Sequence, residues 1–526
     1  MDKKRSVLNV SIAITTKVIL LLFAIVLKRL LIDYVGDDAN GVYALYTSII
    51  GFLTIADLGV GTAINFAMYK PIVEGDEQKV CALYNLYKKV YMVIGIIILG
   101  CGLAIMPLLP TFAKEYNNSF NLYLTFAILL ASILIEYAYS CKTSLINAYK
   151  NNYINTLITS LCDFIRRIVQ AFVLVCFRSF ELYLTAKILS ALLQGILVDM
   201  YAKKHYKNIV DSRVNPDSET KNSVVKHTKA LFMHKIGTQL IYTTDSIIIS
   251  AFLGVTLLGY YSNYVAIMTA MVVVLKFFFT PLTAIIGHLC AEGNVAEQKK
   301  YFDFLYYLNF TIGIIFFLGY YAIIDNIIML WVGESRVLGK EVSIIITINY
   351  FLLYMRETVL LFRDASGAFY YDRWKPVISG IINIILSIAF VYIIGLVGVI
   401  LATILTSLFA SHTVEPYVLF KHTFNGQKAT KYYIKNYSLI AVFCGCVGLM
   451  TLLSQTGLGS VGNFFANGFI SVGISLTVLL ILFATSPTYR SNFKKLISKT
   501  FSLIGHKKTQ QIPASETSNL ESDKEE

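Results

Sequence analysis

The sequence predicts an all-α integral membrane protein of about 14 transmembrane helices, built as two pseudo-twofold six-helix bundles followed by two additional helices. Three observations predict it. Hydrophobic residues fill 56% of the 526 positions and charged residues only 15%. Apolar runs of the roughly 20 residues needed to cross a bilayer core of about 30 Å recur along the whole chain. Two glycine-centred motifs return at a single offset.

The expected spans are 7–32, 41–64, 86–108, 119–141, 151–177, 180–202, 229–252, 258–285, 304–331, 341–363, 375–395, 397–420, 436–454 and 463–485. The first run is too long for a signal-peptide core and no small-residue cleavage site follows it, so it reads as a retained helix. Domain boundaries follow from the spans: 1–205 for the first bundle, 206–228 for a polar linker holding Pro216, 229–421 for the second bundle, 422–485 for the additional pair and 486–526 for a partly disordered tail. In the alternate connections, Lys and Arg number about 31 on one side and about four on the other, which places both termini in the cytoplasm. The net charge of +13 is then accounted for by basic loops at an anionic inner leaflet, without nucleic acid.

The chemistry this leaves is not enzymatic. Connections on the outer side, such as "DYVGDDAN" and "VGESRVLGKE", are too short for a catalytic domain, and the chain has no H-E-x-x-H, Walker or G-x-S-x-G motif. No metal site and no cofactor are expected. Cys444 and Cys446 form an isolated C-x-C without further ligands, and the eight cysteines lie within or beside apolar runs rather than in a disulfide framework.

The repeat carries the architecture. "VGDDANGVYALY" and "LGVTLLGYYSNY" share a pattern in which Gly36, Gly41, Tyr43 and Tyr46 match Gly254, Gly259, Tyr261 and Tyr264, all at one constant offset along the chain. Glu74 and Gly75 match Glu292 and Gly293 in the same register. A parallel repeat of this kind relates two bundles by an axis along the membrane normal and sets a site between them for alternating access.

The stretches "VGDDANGVYALYTSIIGFLTIADLGVGTAI" and "GAFYYDRWKPVISGIINIILSIAFVYIIGLVGVILATILTSL" resemble the bacterial polysaccharide-unit flippases of the multidrug/oligosaccharidyl-lipid/polysaccharide exporter superfamily. Gly36, Gly41, Asp57-Leu58-Gly59 and the series Pro376, Asn383, Ser387, Gly395 and Gly398 mark the resemblance best. It covers nearly the whole chain. It implies a plasma-membrane protein that moves undecaprenyl-diphosphate-linked oligosaccharide to the outer leaflet for export of a capsule or exopolysaccharide, with membrane lipids and polysaccharide polymerase or assembly proteins as partners. A multidrug or cation antiporter of the same superfamily, a flippase for the peptidoglycan lipid precursor and a membrane glycan polymerase are the alternatives.

Charged residues inside the spans are the candidate site. In "SLCDFIRRIVQAF", helical spacing puts Thr156, Thr159, Ser160, Asp163, Arg166, Arg167 and Gln170 on one side of the fifth span. A central arginine costs about 2.5–3.5 kcal/mol on the insertion scale and faces a bundle interior or a wet cavity. Asp163 can neutralise one arginine but not both, leaving one charge for an anion or for a structural carboxylate such as Glu136. Lys17 and Lys235 stand in the same repeat register and would face each other across a pseudo-twofold cavity, although Lys235 can also snorkel from its helix end. Lys276, Arg356 and Lys187 complete the deep cations as weaker candidates, and Arg356, beside Glu357, reads equally as a structural ion pair with a neighbouring helix. Asp57, Asp163, Glu136, Asp245 and Glu357 are assigned to a gate or to pairing, Asp57 at the inner gate through the resemblance. Seven deep cations face five carboxylates. Tyr43, Tyr46, Tyr261 and Tyr264 read either as interfacial belt anchors or as stacking surfaces for sugar rings.

Overall fold

A computed structural model describes residues 3–491 and 493, apart from 58–59, 118, 215–242, 280–281, 456 and 492. Among the described residues every regular element is helical. Helices α1 (Lys3–Tyr34), α2 (Asp37–Leu53), α3 (Val60–Glu74), α4 (Glu77–Ile105), α5 (Leu122–Ala148), α6 (Asn152–Phe177) and α7 (Phe180–Val210) form the first part. Helix α8 (Thr243–Leu253) opens the second. It continues through α9 (Val255–Phe279), α10 (Leu282–Ala291), α11 (Val295–Val332), α12 (Lys340–Met355), α13 (Glu357–Ala365), α14 (Lys375–Thr406) and α15 (His412–His422), and α16 (Thr430–Leu453) and α17 (Gly459–Thr485) close the chain.

Nine of the described helical stretches are long and apolar enough to cross a membrane, where the sequence predicts about fourteen spans. The difference has physical causes. Lys375–His422 runs as one stretch but breaks at Ile394 and Gly395, so it holds two of the expected spans. Helix α6 carries Asp163, Arg166 and Arg167 in its middle, which lowers its apolarity. The expected span 41–64 is interrupted by a 3-10 turn at Thr54–Asp57. Exposed apolar side chains such as Phe66, Leu452 and Phe469, 70–83% accessible, coat the outside as lipid-facing residues do.

The repeat is visible in backbone geometry. Gly36 and Gly254 have φ of 114° and 98°, and Gly75 and Gly293 have 73° and 74°, values that favour glycine. After each second glycine a side-chain cap starts the next helix: Asp76 accepts from the Lys79 amide, and its counterpart in the repeat, Asn294, accepts from the Glu297 amide. Helices α2 and α9, which follow the first pair of glycines, cross each other closely. A Cβ on Gly41 would stand 1.9 Å from the Val255 carbonyl oxygen, and one on Gly259 would stand 3.0 Å from that of Asp37. Polar bonds stitch the crossing: Thr256 donates to Asp38 at 2.6 Å, Asn40 to the Gly259 carbonyl at 2.9 Å, and Arg336 pairs with Asp37 at 2.6 Å.

Tyr46 and Tyr264 do not sit in a belt. Both are fully buried: Tyr46 bonds the Leu122 carbonyl and Thr125, while Tyr264 donates to Asp325 and accepts from the Leu338 amide. Ser343, the counterpart of Thr125 in the repeat, also donates to Asp325.

Candidate functional site

Between residues 21–183 on one side and 246–331 on the other lies a cavity of about 510 Å³. Lys28 of α1, Arg166, Arg167 and Gln170 of α6, and Tyr43 and Tyr261 line it. Its cations are held unequally. Arg166 makes two bonds to one oxygen of Asp163, at 2.6 and 3.2 Å, and a third to the Gln170 amide oxygen at 3.3 Å. Gln170, only 2% accessible, is itself fixed because its amide nitrogen donates to the Tyr183 carbonyl at 3.1 Å. Among the described residues Arg167 has no ion-pair partner, and its buried Nε has no hydrogen-bond partner. Lys28 reaches across the cavity to α9, donating to the carbonyl and hydroxyl of Ser262 at 2.7 and 2.9 Å, and has no carboxylate partner among the described residues. The lining therefore presents three cations, of which one is neutralised.

A second cavity of about 500 Å³ adjoins the first, since Thr269 and Val273 of α9 line both. Its charges are paired. Lys276 meets Glu357 at 3.1 Å. Arg356 bonds both oxygens of Glu415, at 2.6 and 3.0 Å, and Lys375 reaches one of them at 2.6 Å. Arg363 bridges Asp364 and Asp372, each at 2.9 Å.

The remaining predicted residues fall elsewhere. Lys17 is exposed on α1 and lies outside the lining of both cavities. Lys235 lies outside the described residues. Asp57 ends the 3-10 turn beside Tyr91 and Tyr137, against a bonded pair of Tyr87 with Ser144 at 2.7 Å. Glu136 sits in the field of Lys187 and Arg166. Asp245 is 9% accessible and accepts from Thr403 at 2.9 Å, and Thr403 in turn accepts from Asn383 at 2.9 Å. One further oxygen of Asp245 and the Asn383 amide oxygen are unpartnered among the described residues, so the carboxylate has a free position for a proton. Clusters of three or more His, Cys, Asp or Glu that could hold a metal ion do not occur among the described residues.

Sequence reasoning missed Lys28, Arg363, Lys375 and Glu415. The "KRLL" at 28–31 sits at the end of an apolar run, where snorkelling is the default reading, Lys375 and Glu415 lie at helix ends 40 residues apart, and Arg363 beside Asp364 reads as a local pair.

Comparisons with known proteins agree on the architecture. At a TM-score of 0.64 and 12% identity, the chain matches an inward-facing MATE-family multidrug transporter of the MOP superfamily, over 76% of this chain and 94% of that one. It also matches the lipid II flippase MurJ in an inward closed conformation, at 0.64 and 14%, over 90% and 98%. The chain has the MATE and MurJ fold. A MATE structure in the bent conformation matches at 0.51 and 13% identity, over 77% and 93%. The MJ1308 family model matches residues 79–144. No curated protein matches the chain by sequence.

Proposed function

We infer that this protein is a flippase that carries undecaprenyl-diphosphate-linked oligosaccharide units from the cytoplasmic to the outer leaflet by alternating access, in a bacterial plasma membrane with both termini cytoplasmic. The observation that carries the reading is the first cavity, where Lys28, Arg166 and Arg167 face one neutralising carboxylate. A surplus of positive charge in a poorly solvated cavity between two halves suits a diphosphate. In this reading the polyprenyl tail stays in lipid at the seam between α1 and α9, which the Lys28–Ser262 bonds bridge, while the headgroup enters. The likeness to MurJ supports a lipid-linked cargo over a soluble one. A cationic drug, as cargo for a MATE-type antiporter, would meet the wrong sign of charge here. In this reading, Arg166, Arg167 and Lys28 bind the diphosphate. Lys276, Arg356 and Glu357 belong to the adjoining network, Asp163 and Glu136 tune the arginines, and Asp57 and Asp245 serve gating or coupling. Lys17 and Lys235 remain assigned to the cargo path.

The test is the double variant Arg166→Ala/Arg167→Ala, with protein level measured beside surface glycan. Export is expected to fall by roughly a hundredfold, as for loss of two charge-assisted contacts, with lipid-linked oligosaccharide retained on the inner leaflet and protein abundance kept. The double Arg-to-Lys variant retains part of the activity, because charge survives while the planar fork is lost. An abundant double-Ala protein that exports normally removes the arginines from the mechanism. A protein that disappears instead assigns them to structural pairing with Asp163 and Glu136.

A further inference from the structure

The second cavity is about as large as the first and adjoins it, but its chemistry differs. Its four lining cations are already matched by Glu357, Glu415, Asp364 and the neighbouring Asp372, so it offers no surplus charge to a second anion. What it offers is a rigid array of donors and acceptors, fixed in place by mutual pairing. Among its lining residues, Tyr354, Thr406 and Ser407 are 2%, 5% and 6% accessible, and their hydroxyl oxygens have no partner among the described residues. Buried hydroxyls without partners are rare in a settled core. Thr406 and Ser407 stand where α14 gives way to a π-helical turn at Ser407–Ser411, a departure from regular helix of the kind that gathers at functional sites.

A neutral ligand rich in hydroxyls fits such a wall, because each sugar hydroxyl both donates and accepts. We propose that the second cavity is a saccharide subsite that receives the first sugars of the cargo and favours uncharged ones, Tyr354, Thr406 and Ser407 contributing to specificity. The inference rests on the proposed diphosphate site, since the two cavities share Thr269 and Val273 of α9 in their lining and a sugar bonded to a diphosphate in the first would stand next to the second.

The experiment uses the purified full chain in nanodiscs and three probes: undecaprenyl diphosphate, the same lipid carrying a neutral disaccharide, and the same lipid carrying a disaccharide that begins with a uronic acid. The neutral disaccharide is expected to tighten binding about tenfold over the bare lipid, and the uronic acid to give no such gain. The variant Tyr354→Phe/Thr406→Val/Ser407→Ala removes three oxygens and leaves every ion pair in place. It is expected to lose the disaccharide's gain and to bind the bare lipid as before; Ser407→Ala alone serves if the triple variant does not purify. Equal binding of bare and glycosylated lipid by the unaltered protein overturns the proposal, as does a uronic acid that binds as well as the neutral sugar, or a gain that survives the substitutions. The Arg166→Ala/Arg167→Ala variant separates the two readings. It should weaken all three probes alike, and if it weakens none, the diphosphate site fails while the difference between probes still judges the sugar subsite.

Discussion

Helix α6 and the first part of α14 stand in the register of the repeat, with Ala171, Phe172 and Val173 matched by Ala389, Phe390 and Val391. Their chemistry is opposite. Asp163, Arg166, Arg167 and Gln170 of the first fall on Ile381, Ile384, Ile385 and Ile388 of the second. On α1 and α8, likewise, Leu27 and Lys28 fall on Asp245 and Ser246. The two surplus cations of the first cavity, Lys28 and Arg167, belong to the first half, and Asp245, bonded to a threonine, belongs to the second. At the crossing of α2 and α9, by contrast, glycines, tyrosines and turn geometry repeat. The glycine turns of the repeat are alike in the two halves, while the charged side chains differ, which on the proposed reading lets one half hold the cargo and the other respond to something else.

The largest effect should come from the buried ionic network around Glu415 in the second half. Glu415, 1% accessible, satisfies Arg356 and Lys375 together. Glu415→Gln leaves both cations short of a counter-charge and should cost about 3–5 kcal/mol, read as a lowered thermal midpoint of the purified protein. Glu136→Gln in the first half, where no ion pair within 4 Å forms among the described residues, should cost clearly less. A pair of equal losses would show that the halves do not differ in this way.

The crossing gives the next test. Gly41→Ala drives a methyl into the Val255 carbonyl, whereas Gly259→Ala meets contacts at 3.0 Å that need only a small shift. Overpacking of this kind costs about 1–3 kcal/mol or more, so Gly41→Ala should lower both abundance and export, and Gly259→Ala should do so weakly. Identical outcomes would mean that the crossing relaxes as one body.

The smallest change is expected from Asp245→Asn, which keeps the Thr403 contact and removes only the charge. Export should fall roughly tenfold at unchanged abundance, and whatever dependence export has on pH or sodium should flatten. An Asn variant with the unaltered dependence would take Asp245 out of the coupling.

Much of this was legible from the sequence, for reasons that differ from part to part. Helical membrane architecture follows from apolar run length, and the repeat from glycines that other residues replace only with strain at positive φ, so both are written locally. The α6 stripe was readable because helical spacing fixes which side chains share a face, and the (i, i+3) pairing of Asp163 with Arg166 is as local as the stripe. For Arg356 a structural ion pair was one of two readings, but its partner was not readable: its neighbour in sequence is Glu357, yet it pairs with Glu415, 59 residues on, while Glu357 takes Lys276. Lys28 was hidden by its place near a helix end, since only the approach of α9 turns that end into a cavity wall. Tyr46 and Tyr264 misled because an aromatic near a helix end looks the same whether it faces headgroups or a buried carbonyl.

Gln170 has a consequence for how cargo is let go. With its nitrogen committed to the Tyr183 carbonyl, the amide cannot turn over, so Arg166 is held in one pose before anything binds. Arg167, next to it, has no such anchor among the described residues. Immobilising a long side chain on binding costs about 0.5–1.5 kcal/mol. A ligand gripped by both arginines gains the first at little entropic cost and gives back part of the second, which weakens the complex by up to about tenfold. On the proposed reading, adjacent guanidinium groups, one anchored and one not, divide recognition from release: the anchored group sets where the anion sits, and the other keeps it from staying.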